Sequence, residues 1–158
     1  LNALSEQRKL LVKLRSRLIL TPHPVEMSRL TGMKVDEIQA DREGVAAKYA
    51  REWGQVVVLK GAHTVIANVD GAIRVNPHSN PALATAGTGD VLAGIIGGLL
   101  AQGLEPFEAA VTGVFLHGAA ADEAVARMGD AGGLASDLLP LIPITIRDLK
   151  PLLRRARS

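Results

Sequence analysis

Apolar residues recur at Leu1, Leu4, Leu10, Leu11 and Leu14 with charges between them, which is the spacing of an amphipathic helix. The pattern then shortens to a strand over Arg17 to Leu20. Thr21-Pro22-His23-Pro24 stops that strand, because two prolines forbid both a helix and a central strand, and a stiff loop is predicted at its carboxyl end. Val25 to Leu30 predicts one or two helical turns, with Glu26 in the first. From Lys34 to Trp53 the spacing predicts a longer helix with Val35, Ile38, Val45, Ala46, Tyr49 and Ala50 facing inward and Gly54 as its stop.

Gln55 to Leu59 is apolar on both faces, as expected of a parallel strand covered by helices, and Lys60-Gly61 breaks it. His63 to Asn68 and Ala72 to Val75 alternate, and Val69-Asp70-Gly71 between them is a hairpin signal. Three helices are predicted afterwards: Val91 to Gln102, Glu105 to Met128 with Pro106 in its first turn, and a terminal one opening near Ser136-Asp137. Gly94 and Gly98 lie one turn apart on the first of these, where bare surface would admit a neighbouring backbone. Strand, helix, strand, hairpin, glycine loop and helices make an α/β order. If the strands are parallel, the loops at Thr21 to Glu26, Lys60 to Thr64 and Gly87 to Asp90 share the ligand-binding end of the sheet.

Composition narrows the function classes. A chain of 158 residues that is 47% hydrophobic and 22% charged is long enough for one domain with a core, and no second domain is expected. Four aromatic residues (Tyr49, Trp53, Phe107 and Phe115) give no stacking platform for nucleic acid, and a formal charge of +2 argues the same way. Basic residues gather at the two ends, where solvated helix faces are the simpler reading. The absence of cysteine suits a reducing compartment, so the cytoplasm is expected. No secretory leader is expected either, and the longest apolar run, Val91 to Ala101, falls short of the roughly 18 residues of a membrane span.

The richest chemistry lies in Asn80-Pro81-Ala82-Leu83-Ala84-Thr85-Ala86-Gly87-Thr88-Gly89-Asp90, which runs directly into an apolar helix. Small residues at Gly87 and Gly89 let backbone N–H groups crowd around a phosphate, and the helix adds its unpaired N–H groups and the positive end of its dipole. Asp90 falls in the first helical turn, where its charge is favoured and its place beside that anion is fixed. Phosphoryl chemistry is the expectation; a plain helix cap is the alternative for Asp90.

Taken with two further loops, these residues resemble the ribokinase-like superfamily, and within it the NAD(P)H-hydrate dehydratase family. The resemblance is carried by Leu20-Thr21-Pro22-His23-Pro24 with Glu26, by Val57-Val58-Leu59-Lys60-Gly61-Ala62 with Thr64-Val65-Ile66-Ala67, by Asn80, by Gly87-Thr88-Gly89-Asp90-Val91-Leu92-Ala93-Gly94, and by Leu116-His117-Gly118-Ala119. Kinases of the superfamily usually have alanine between the two glycines, and Thr88 favours the dehydratases. Where that family commonly has Thr-Gly-Asn before the glycine loop, this chain has His78-Ser79-Asn80.

The resemblance implies a ribokinase-like layered sheet flanked by helices, of which residues 1–158 are the carboxyl-terminal portion. The amino-terminal part of the domain is then expected on another segment or chain, or the protein is a homo-oligomer. It also implies that ADP, or ATP, with Mg2+, phosphorylates the 6-hydroxyl of hydrated NADH or NADPH, after which the ring nitrogen expels phosphate. Asp90 would face that hydroxyl. Lys60, Gly61, Ala62, His63, Thr64, Asn80, Gly87, Thr88 and Gly89 would hold the nucleotide, and His23 and Glu26 would join Asp90 on the substrate.

Other readings stay open for several of these residues. His23 can be incidental, Glu26 can orient it, approach a metal or cap a helix, and Lys60 can be an ordinary strand-end lysine. His117 reads as a core histidine, and Asp122 and Glu123 as solvated helix charges. No histidine and carboxylate cluster has metal-ligand spacing, so magnesium would arrive with the nucleotide. A small-molecule kinase of the superfamily and a non-catalytic nucleotide-binding subunit are the competing functions.

Overall fold

A computed structural model describes residues 17–155 of the chain, and the helix expected over Leu1 to Leu14 lies outside them. The chain opens with strand β1 (Ile19–Leu20), helices α1 (Pro24–Thr31), α2 (Val35–Ala40) and α3 (Arg42–Trp53), and strand β2 (Val56–Leu59). Strands β3 (Val65–Ala67) and β4 (Ile73–Val75) follow, then a 3₁₀ turn over Pro81–Ala84 and helices α4 (Thr88–Ala101) and α5 (Pro106–Met128). A second 3₁₀ turn over Ala135–Leu138 leads into α6 (Leu141–Arg155).

The single helix expected from Lys34 to Trp53 is two. Asp41 leaves helical geometry (φ −142°, ψ 68°) and its carboxylate accepts from Gly44 N at 2.9 Å, which caps α3 and ends α2. A side chain at position 44 would overlap that carboxylate, so the glycine permits the cap. The two strands after Lys60 are shorter than their alternation predicts, because His63 sits at φ +52° and the Thr64 hydroxyl donates to Gly61 O at 3.0 Å, holding the chain in a loop. The hairpin itself is as expected: Gly71 takes φ +94°, and Asp70 Oδ1 accepts from Ala72 N at 2.9 Å.

The sheet runs β1-β2-β3-β4, with β1 parallel to β2 (Ile19 opposite Val56) and the other pairs antiparallel. Because β1 and β2 are parallel, the loops at Thr21 to Glu26 and Lys60 to Thr64 leave the sheet at one end, and Lys60 N donates to Pro22 O at 2.8 Å between them. All four residues of β2 are buried. Val57 and Leu59 face Met27, Leu30, Ile38 and Trp53 of α1 to α3, whereas Val56 and Val58 face Leu92, Ile96 and Val114 of α4 and α5. A strand apolar on both sides thus has helices on both sides.

Among the described residues, Cβ atoms built at Gly94, Gly97 and Gly98 meet nothing within 4 Å, and the close approach of α4 to α5 falls at Gly113, whose Cβ would stand 2.6 Å from Ile96 Cγ1. A third apolar cluster joins Ala120, Ala121 and Ala124 of α5 to Leu138 and Leu141 near the start of α6.

Candidate functional site

The three loops meet in one cleft of about 620 Å³, within the range of small-ligand sites. His23, Lys60, Gly61, Ala62, Thr64, Asn80, Gly87, Thr88, Gly89 and Asp90 all line it, whereas Glu26 and His63 do not.

The anion-binding end is set by α4. Gly87 takes φ +89° at its N-cap, a conformation open to glycine, and no side chain among the described residues caps the helix. In the first turn Thr88 N donates to Thr85 O at 3.3 Å and Asp90 N to Gly87 O at 3.0 Å, which leaves the N–H of Gly89 and the positive end of the helix to an anion beside the exposed carboxylate of Asp90. Thr88 is buried and its hydroxyl is in hydrogen-bond range of Leu83 O (2.7 Å) and Thr85 O (2.8 Å), so its side chain fastens the loop from within.

Lys60 is more than a strand-end lysine. Its ammonium reaches across the cleft until Nζ stands 3.0 Å from where a Cβ of Gly89 would be, so a cation sits against the first turn of α4 because position 89 has no side chain. The same Nζ is 3.8 Å from Glu26 Oε2. The loop after Lys60 is braced from behind by Arg42, whose Nη2 donates to Leu59 O at 2.9 Å and whose guanidinium lies against Gly61 (φ +147°). Burial lowers the pKa of Arg42.

His23 is the N-cap of α1. Its Nδ1 accepts from Glu26 N at 3.3 Å while Glu26 Oε2 accepts from His23 N at 2.8 Å, a reciprocal capping box. Glu26 therefore caps and orients, and among the described residues no group of three or more His, Cys, Asp or Glu could hold a metal ion.

His117 is buried, as its apolar surroundings in the sequence suggest, yet it also lines the cleft. Burial is the main cause that lowers its pKa to about 4; a hydrogen bond to the Thr88 backbone opposes the shift and the charge of Lys60 adds to it. It is neutral at pH 7, and its Nε2 has no hydrogen-bond partner among the described residues.

Asn80 has its side chain engaged in the loop: Oδ1 accepts from Ala82 N and Nδ2 donates to Asp122 Oδ1, both at 2.9 Å. Asp122 is thus not merely a solvated helix charge, because its other oxygen pairs with His78 Nδ1 at 2.6 Å. Glu123 does pair along its own helix, with Arg127 Nε at 2.6 Å. No local pattern signals the Asp122 contacts, which join residues 42 and 44 positions apart. No helix among the described residues is long and apolar enough to cross a membrane.

Comparison with known proteins identifies relatives of this chain. A family model described as NAD(P)H-hydrate dehydratase matches residues 1–143. The chain is 53% identical over 150 residues to the bifunctional NAD(P)H-hydrate repair enzyme of Moorella thermoacetica, covering 95% of this chain and 28% of that protein. It is also 53% identical over 124 residues to the ADP-dependent (S)-NAD(P)H-hydrate dehydratase of Neisseria meningitidis, covering 78% of this chain and 42% of that one.

Among solved structures, the ADP/ATP-dependent NAD(P)H-hydrate dehydratase of Bacillus subtilis co-crystallized with ATP/Mg2+ superposes with a TM-score of 0.81 at 41% identity, over 84% of this chain and 48% of that one. A ribokinase-like superfamily protein of Enterococcus faecalis superposes with a TM-score of 0.66 at 30% identity, over 90% and 50%. The chain thus spans less than two thirds of the length of each of these relatives. With 143 of its residues under the family model and its glycine loop, lysine and aspartate gathered at one cleft, the chain belongs to the NAD(P)H-hydrate dehydratase family.

Proposed function

We propose that this chain carries the nucleotide side of an enzyme that restores NADH and NADPH from their 6-hydroxylated forms at the expense of ADP or ATP. The observation that carries the reading is the meeting of the Lys60 ammonium with the first turn of α4, one residue from Asp90. Two sources of positive potential converge where a terminal phosphate would lie, and one carboxylate stands beside them.

Asp90 would receive the proton of the 6-hydroxyl as that oxygen attacks the terminal phosphorus. With ADP, the bond to the bridging oxygen breaks and AMP leaves. An ionised carboxylate is a mild base, which suffices because phosphoryl transfer runs through a loose transition state where positioning dominates. The ring nitrogen's lone pair then expels phosphate, and loss of a proton from the adjacent ring carbon regenerates the dihydronicotinamide. Phosphorylation turns hydroxide, a poor leaving group, into a good one.

Mg2+ fits this cleft as a companion of the nucleotide. Such an ion would arrive on the nucleotide and fill its positions from phosphates and water, which leaves the Asp90 carboxylate to accept the proton. His23, held in its capping box, would meet the substrate, with its remaining contacts coming from polypeptide beyond these residues or from a second copy. The substrate and the absence of cysteine favour a cytoplasmic setting.

The test mixes the protein with hydrated NADH and ADP while dihydronicotinamide absorbance and free phosphate are followed. Both rise together on this reading. A phosphorylated hydrate that accumulates without recovery of absorbance would make the protein a kinase, and absence of nucleotide binding would remove the reading.

A further inference from the structure

Asp122 does not line the cleft, yet both of its oxygens hold the segment that leads into the glycine loop. Oδ2 pairs with His78 Nδ1 at 2.6 Å and Oδ1 accepts from Asn80 Nδ2 at 2.9 Å. From Asn80 the connection continues through Ala82 N into the 3₁₀ turn Pro81–Ala84, and from Leu83 O and Thr85 O to the hydroxyl of Thr88, between the two glycines.

His78 is fixed on its other sides too. Its ring meets the edge of Phe115 at 5.0 Å between centroids, and a Cβ on Gly118 would stand 2.6 Å from His78 Cβ. The loop therefore seats on α5 where that helix has no side chain, and an acceptor-only carboxylate one turn further on keeps a proton on Nδ1.

We infer that Asp122 is a positioning residue of the nucleotide site: it acts through His78 and Asn80 to fix the register of the loop that places Gly87, Thr88 and Gly89. The inference rests on the nucleotide reading of the cleft. Asp122 is half exposed, with 51% of its side chain accessible, and exposed ion pairs add little to global stability. Its loss should therefore be felt in the shape of the loop far more than in the melting temperature.

The experiment measures ADP binding by calorimetry, and thermal melting, for the wild-type chain, Asp122→Ala, Asp122→Asn, Asn80→Ala and the double variant Asp122→Ala/Asn80→Ala, with Glu123→Ala as control. Asp122→Ala is expected to weaken ADP binding about tenfold, as loss of charge-assisted hydrogen bonds does. Asp122→Asn keeps one acceptor for Asn80 and should lose about threefold, in line with a single neutral bond. The double variant should bind within about twofold of Asp122→Ala, because residues in one network are not additive. Glu123→Ala should bind as wild type. In turnover, the loss should fall on KM for ADP and leave kcat nearly unchanged.

Wild-type affinity in Asp122→Ala, or losses that simply add in the double variant, overturn the inference while the nucleotide reading stands. If Asp122→Ala does not fold, wild-type affinity in Asp122→Asn together with Asn80→Ala does the same. A wild-type chain that binds no ADP removes the nucleotide reading, and the inference falls with it.

Discussion

One face of the sheet is covered by α1 to α3 with Met27, Ile38, Tyr49 and Trp53, the other by α4 and α5 with Leu92, Ile96, Ala109, Ala110 and Val114. The first uses large side chains, among them a Tyr49–Trp53 ring pair 4.9 Å apart, and it supplies the site through loop ends, His23 and Lys60. The second is built from smaller ones, with Gly94, Gly97 and Gly98 open and Gly113 and Gly118 in tight contact, and it supplies Asp90, the glycine loop and His117. Bulk holds the fold on one side; on the other, missing side chains bring backbone and polar groups close together.

The contrast is sharpest at Asp90. Asp90→Asn on the second face should lower turnover by about a thousandfold, the range for loss of a general base, while ADP affinity and the melting temperature stay close to wild type. Steady-state kinetics beside calorimetry check this, and unchanged turnover would take Asp90 out of the mechanism.

Leu59→Ala tests the first face. Leu59 is fully buried, and truncation should cost about 3 to 4 kcal/mol of stability in a denaturant titration. A cost below about 1 kcal/mol would mean that this face collapses easily and that the two sides are alike.

His117 gives a pH-dependent comparison. Its folded-state pKa lies near 4, below the ordinary 6.5, so the unfolded chain takes up a proton between these values and the folded chain does not. Stability is then lost as pH falls from about 6.5 toward 4, by up to about 3 kcal/mol. Melting curves of wild type and His117→Asn across that window should diverge, with the variant the flatter; parallel curves would show that His117 is not held neutral.

The smallest effect should come from Gly94→Ala. The position is helical and open among the described residues, so the change should stabilise by up to about 1 kcal/mol. A lowered melting temperature would show that something packs there in solution.

The first face was the more legible of the two. Val56 to Leu59 announced a doubly covered strand, and Pro22-His23-Pro24 announced a stiff loop. Helix spacing ran through Asp41 because periodicity does not register a side-chain cap, and the break there needed the glycine at 44 to be seen in place. On the second face the glycine loop and Asp90 were readable as local chemistry. The roles of Gly94 and Gly113 were not, since a bare helix position looks the same whether or not a neighbour comes close. Asp122 was unreadable for a related reason: its partners are far away in sequence, and a charged residue at the surface of a helix usually faces water.

The gap at Gly89 also sets an electrical scale. A helix terminus contributes roughly half an elementary charge and an ammonium a whole one, so their superposition presents about one and a half positive charges to a group between them. A terminal phosphate carries a similar amount of the opposite sign, about one and a half to two at neutral pH. Because the spacing between the two sources is fixed by one absent carbon, the field at that point can be retuned by a single methyl, without altering any charged residue.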